Sequence, residues 1–120
     1  MNSKHSIPTL DVTDKQLAAL SSAPLNKREQ TERLRSLPDW RISQQGNDCY
    51  LRCDFSFSRY ADALDFTADI GELADACGLY PTIITAYLRV TVIWQAADNS
   101  NVSKREFALA AKTSELAEQR

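Results

Sequence analysis

Apolar and polar positions follow two different rhythms along this chain, and the switches between them mark its elements. From Cys49 to Phe57 the period is two: Cys49, Leu51, Cys53, Phe55 and Phe57 alternate with Tyr50, Arg52, Asp54 and Ser56. That alternation predicts a strand with one buried and one wet face. Trp40 and Ile42 alternate with Arg41 and Ser43, predicting a shorter strand before it. A turn over Gln45-Gly46-Asn47-Asp48 joins the two into a hairpin, with glycine free to take positive φ.

From Ser58 the rhythm lengthens. Tyr60, Ala63, Thr67, Ile70, Ala74 and Cys77 recur three or four apart, with Phe66 and Leu73 beside them, while Asp62, Asp65, Asp69 and Glu72 take the remaining surface. This predicts an amphipathic helix capped by Ser58 and ended by Gly78 as a left-handed C′ residue. Gly71 inside it predicts a close approach to the sheet. Thr82 to Trp94 is rich in β-branched and aromatic residues and predicts one long extended segment. In it Leu88, Val90, Val92 and Trp94 share one face, and Tyr87, Arg89, Thr91 and Ile93 the other.

Three further stretches have the spacing of a helix-opening capping box: Thr13 to Gln16, Asn26 to Glu29, and Ser103 to Glu106. The first predicts a short helix to about Ser21, stopped near Pro24. The second predicts a helix through Leu34 that Pro38 ends, since the residue before a proline disfavours helical geometry. The last opens a helix with Phe107, Ala110, Ala111 and Ser114 inward, after a polar loop from Ala97 to Asn101. Helix, two strands, helix, extended segment and helix together predict an α+β fold, an antiparallel four-stranded sheet with helices packed on one face.

Composition narrows the function classes. At 120 residues, with 43% hydrophobic and 25% charged residues, the chain has the size and make-up of one globular domain. A net charge of -2 gives no reason to expect nucleic acid or an anionic membrane as partner. Lys27, Arg28, Arg33, Arg35 and Arg41 cluster, but Glu29, Glu32 and Asp39 interleave with them, as on a solvated helix face. The leader Met-Asn-Ser-Lys-His lacks the apolar core of a secretory signal. No apolar run approaches the roughly 18 residues of a membrane span. Cys49, Cys53 and Cys77 lack metal-type spacing, so no metal and a reduced, cytoplasmic setting are expected. No phosphate loop, nucleophile elbow or dinucleotide fingerprint occurs. The only histidine is His5, in a polar arm over residues 1–12.

The element order and the segment from Asp75 to Glu106 resemble the pterin-4a-carbinolamine dehydratase family over roughly residues 26–118. Residues 1–25 then read as a partly disordered N-terminal extension, and residues 26–120 as the dehydratase-like domain. The family's signature runs acidic residue, three residues, His-His-Pro, five residues, an aromatic, and a third histidine ten further on, with an acid opening the last helix. Here Asp75, Pro81, Tyr87 and Glu106 match that frame, and Trp40 matches a family tryptophan. The histidine positions are Leu79, Tyr80 and Ala97.

The family's dehydration delivers a proton to a leaving hydroxyl and removes another from a ring nitrogen. Histidine, with a pKa near ~6.5, suits both tasks; leucine and alanine suit neither, and tyrosine is a poor base. The resemblance therefore implies no catalytic residue, no cofactor and a protein that is not an enzyme. It is similar to dehydratase-like proteins that serve as Rubisco assembly factors with α-carboxysomes in autotrophic bacteria. That implies the Rubisco large subunit as partner, a homodimer, and association with carboxysomes. The alternatives are a pterin-binding or residually active dehydratase, and a dimerisation or regulatory partner. The unprotected strand 86–94 is expected to be covered or paired in the dimer.

Overall fold

The computed structural model of the protein describes residues 14–97 and 100–120. The arm with His5, the capping residue Thr13, and Asp98 and Asn99 of the polar loop lie outside the described residues. Two short helices lead, α1 (Asp14–Ala19) and α2 (Lys27–Leu34), followed by β1 (Arg41–Gln45) and β2 (Asp48–Ser56). Then come α3 (Tyr60–Cys77), β3 (Thr82–Thr85), β4 (Arg89–Gln95) and α4 (Lys104–Glu118). The strands form one antiparallel sheet in the order β1-β2-β4-β3, and α3 and α4 cover one of its faces. The α+β fold expected from the sequence is the fold found.

Period two sets the sheet's faces as expected. Cys49, Leu51 and Cys53 of β2 face Val90, Val92 and Trp94 of β4 in a buried layer, against Phe66 and Ile70 of α3 and Phe107, Leu109 and Ala110 of α4. Both tryptophans satisfy their indole N–H from α4: Trp94 Nε1 donates to Thr113 Oγ1 at 2.9 Å and Trp40 Nε1 to Ser114 Oγ at 2.7 Å. A buried indole without such a partner would lose the water it had when unfolded. The sheet is thus bonded to α4 as well as packed on it. Leu17 of α1 is fully buried, with α1 against α3 and α4. The Leu25 N–H bonds the Val102 carbonyl at 3.0 Å, joining the approach to α2 to the approach to α4.

Four local expectations need correction. The long extended segment is broken: Thr85 pairs with Val90, and Ala86 donates to the Arg89 carbonyl at 2.7 Å, closing a hairpin. Folding back lets Ile83 and Thr85 oppose Val92 and Val90 over one core, which a straight strand could not do. Consequently β4 is paired on both sides within the chain, not unprotected as expected of strand 86–94, and β3 is the edge beside it. The N-cap of α3 is Arg59, in extended backbone and without a side-chain cap bond, not Ser58. Gly71 makes no close approach either, since a Cβ there would meet nothing within 4 Å. Gly78 does end α3 in the left-handed conformation, at φ 73°.

Candidate functional site

Residues that the sequence places in one signature divide between two ends of the sheet. Asp75 lies in the last turn of α3, and Leu79, Tyr80 and Pro81 carry the chain from Gly78 into β3. Thr82 opposes Ile93, so the start of β3 lies beside the end of β4, which Ala97 follows. Arg120, just beyond α4, pairs with Asp65 and Asp69, both within the first ten residues of α3. The opposite, N-terminal turn of α4, with Glu106, therefore points toward the end where Asp75 and Ala97 sit.

Tyr87 is elsewhere. It lies in the β3–β4 turn, not on a strand, with its ring 6.2 Å from that of Tyr60 at the start of α3. Tyr60 and Asp75 are separated by about 22 Å along the helix at ~1.5 Å per residue. Tyr87 thus takes no part in the Asp75 end, and its exposed pairing with Tyr60 is not legible in the sequence because Tyr60 reads as an inward position of the α3 periodicity.

At the Asp75 end one polar contact is formed. The Tyr80 hydroxyl donates to Asp75 Oδ1 at 3.3 Å, and Tyr80 is 70% exposed. The neighbouring carboxylate, first through its charge and then through this bond, raises the Tyr80 pKa above the usual tyrosine value. Near neutral pH the phenol is a held proton, able to donate and poorly able to accept. Leu79 is half-buried and packs against the core, and Ala97 is exposed.

Glu106 is a buried carboxylate, 1% exposed. Its Oε1 accepts from the Ser103 N–H at 2.8 Å and the Ser103 hydroxyl at 2.6 Å, and Oε2 meets Arg105 Nε at 3.3 Å. The spacing Ser103 to Glu106 predicted this cap, but not Arg105 as its third member. Among the described residues no group of three His, Cys, Asp or Glu could hold a metal ion, and no helix is long and apolar enough to cross a membrane.

The pattern that defines the family described as Pterin 4 alpha carbinolamine dehydratase matches residues 23–116. A protein from Nitrosococcus oceani named "Putative pterin-4-alpha-carbinolamine dehydratase" is 40% identical over 80 residues, 67% of this chain and 71% of the relative. Relatives of the same name from Chlorobium limicola and Chlorobaculum tepidum are 37% and 32% identical, over 75% and 80% of this chain and 80% and 86% of their own lengths. A crystal structure titled transcriptional coactivator/pterin dehydratase, from Brucella melitensis, superimposes with a TM-score of 0.66 at 26% identity, covering 78% of this chain and 98% of that one.

These comparisons correct the expectation that the protein is not an enzyme. The family and its relatives carry the name of an enzyme activity, which points toward an enzyme. The expectation rested on the lost imidazoles and on tyrosine being a poor base, and it left out the hydrogen bond that joins Tyr80 to Asp75. At Leu79, Tyr80 and Ala97 the family's imidazoles are replaced, and the Tyr80 hydroxyl holds a proton against the Asp75 carboxylate.

Proposed function

The chain belongs to the pterin-4a-carbinolamine dehydratase family, and on that scaffold we propose that this member serves as an assembly factor for Rubisco in α-carboxysome-containing autotrophic bacteria. The partner is the Rubisco large subunit. The observation that carries this reading is the make-up of the Asp75 end, where Leu79, Tyr80 and Ala97 stand at positions the family signature gives to histidine. An exposed phenol beside aliphatic side chains offers amphipathic contact area of the kind protein interfaces favour. A protein that binds a productive subunit intermediate withdraws it from aggregation and raises the assembled yield by mass action. The acting form is a homodimer, its open β3 edge being the strand that pairing would cover. Its association with carboxysomes follows from its cargo.

The test is the yield of assembled Rubisco when large and small subunits are co-expressed with and without this protein. A rise that Tyr80→Ala diminishes supports the reading; an unchanged yield overturns it.

A second reading, dehydration of a 4a-hydroxytetrahydropterin, is favoured by the Tyr80–Asp75 hydrogen bond. Tyr80 would donate its proton to the leaving hydroxyl, water would depart, and Asp75 would take the proton released from the ring nitrogen. The dehydration rate of a 4a-hydroxytetrahydropterin, measured spectrophotometrically, decides it. Acceleration lost in Tyr80→Phe supports this chemistry, and a rate equal to the uncatalysed one removes it.

A further inference from the structure

The face of the sheet away from the helices carries a second constellation, unused by either reading. Arg41 of β1 and Arg52 of β2 are directly opposed partners across the strand pair, and Ile93 of β4 stands next to Arg52 in the same row. Like charges directly opposed across strands destabilise a sheet, so this pair needs an anion between its members. The structure supplies one, Asp54, and supplies it incompletely. Arg41 Nη2 lies 3.6 Å from one Asp54 oxygen and Arg52 Nη2 lies 3.6 Å from the other. Both contacts are longer than the roughly 2.7–2.9 Å of a charge-assisted hydrogen bond.

Asp54 is also spent elsewhere, since Oδ1 accepts from the Thr91 hydroxyl at 2.5 Å. Arg52 Nε is buried without a hydrogen-bond partner among the described residues. Two guanidiniums therefore share one committed carboxylate. Arg89 adds a third positive charge on the same face, opposite Ser56 and about 13 Å along the strand from Arg52 at ~3.3 Å per residue. Among the strand residues of this face the other acid is Asp48, at the β1–β2 turn, about 13 Å along the strand from Arg52 at ~3.3 Å per residue. Among the polar residues of this face, Ile84, 52% exposed, and Ile93, half-buried, are apolar.

We infer that this helix-free face binds an acidic segment of a partner protein, with an Asp or Glu carboxylate bridging Arg41 and Arg52 and apolar neighbours resting on Ile84 and Ile93. Charge complementarity decides the partner's sign. The planar, many-donor guanidinium suits a carboxylate taken two-pronged. A second copy of this chain is a poorer occupant, because much of its own acidic surface on α3 is already paired: Asp62 with Arg59, and Asp65 and Asp69 with Arg120. The site does not depend on the partner being Rubisco, and it stands or falls separately from the assembly reading.

The probe is a fluorescein-labelled synthetic peptide alternating glutamate with valine, its binding followed by fluorescence anisotropy on the full chain. The expected result is saturable binding that weakens at least ~10-fold between low and high salt and at least ~10-fold in Arg52→Gln. Asp54→Asn acts in the opposite direction, tightening binding by releasing the arginines, so a mere loss of fold cannot mimic the pattern. Arg33→Ala on α2 leaves it unchanged. Equal binding by wild type and Arg52→Gln, equal binding of a glutamine-for-glutamate peptide, tighter binding of a DNA duplex, or no binding at millimolar peptide would each overturn the proposal. So would self-association by sedimentation that competes with the peptide.

Discussion

Glu106 shows how one side chain can be tied to a family pattern and to the fold at once. Its two oxygens hold the Ser103 amide, the Ser103 hydroxyl and Arg105 inside the N-terminal turn of α4. Glu106→Ala is expected to cost about 1–3 kcal/mol, because the amide and guanidinium are left without their acceptor; urea unfolding measures it. Glu106→Gln costs less, since the amide oxygen still accepts from the Ser103 N–H. Asp54 gives a second prediction at this scale. The Thr91 hydrogen bond foremost, and the charges of Arg52 and Arg41, hold its carboxyl below the ordinary value of 3.8. A lowered native pKa means stability that is fully present above 3.8 and is lost as pH falls through the native value. Asp54→Asn should therefore shrink the drop in Tm between about pH 5 and pH 2.5. An equal drop in both proteins would show that this carboxyl contributes nothing to acid unfolding.

At the scale of elements, the two glycines of α3 predict opposite signs. Gly71 is helical with open space where a Cβ would sit, so Gly71→Ala should stabilise by up to about 1 kcal/mol. Gly78, at φ 73°, should instead lose about 1–2 kcal/mol as alanine. Denaturant midpoints for the pair check both at once. The same helix shows what the sequence can disclose. Its inner row, Ala63 to Cys77, and its glycine stop are read directly from spacing. Its N-cap is not, because Arg59 enters the helix in extended backbone without a side-chain cap bond, leaving nothing for a pattern to detect. The Thr82–Trp94 segment reads as one strand for a related reason. Its break at Ala86–Leu88 contains no glycine, proline or asparagine, and the turn is imposed by the gain from laying Ile83 and Thr85 against Val92 and Val90. At the candidate site, Asp75 and Tyr80 were legible as neighbours in sequence. The removal of Tyr87 to the other end of α3 was not, because it follows from that unmarked turn.

For the molecule as a whole, the deciding layer is the one between the sheet and α3 with α4. Val90 and Val92 are fully buried in it, so Val92→Asp should abolish cooperative folding, an isolated buried charge costing more than a domain of this size can spare. A soluble variant with a sharp melting transition would contradict this. The strand order has a further consequence, for the time the chain takes to fold. The β1–β2 and β3–β4 pairs are hairpins closed within the chain by short turns, and such hairpins form in about microseconds. The β2–β4 seam instead joins Tyr50 to Gln95 and Ser56 to Arg89 across all of α3. Closing it confines the longest loop of the sheet before its contacts are made. Stopped-flow refolding should accordingly be slowed by Val92→Ala at the seam, while Ile42→Ala in the outer hairpin mainly quickens unfolding. The joint that fixes the order of the strands is then also the clock of their assembly.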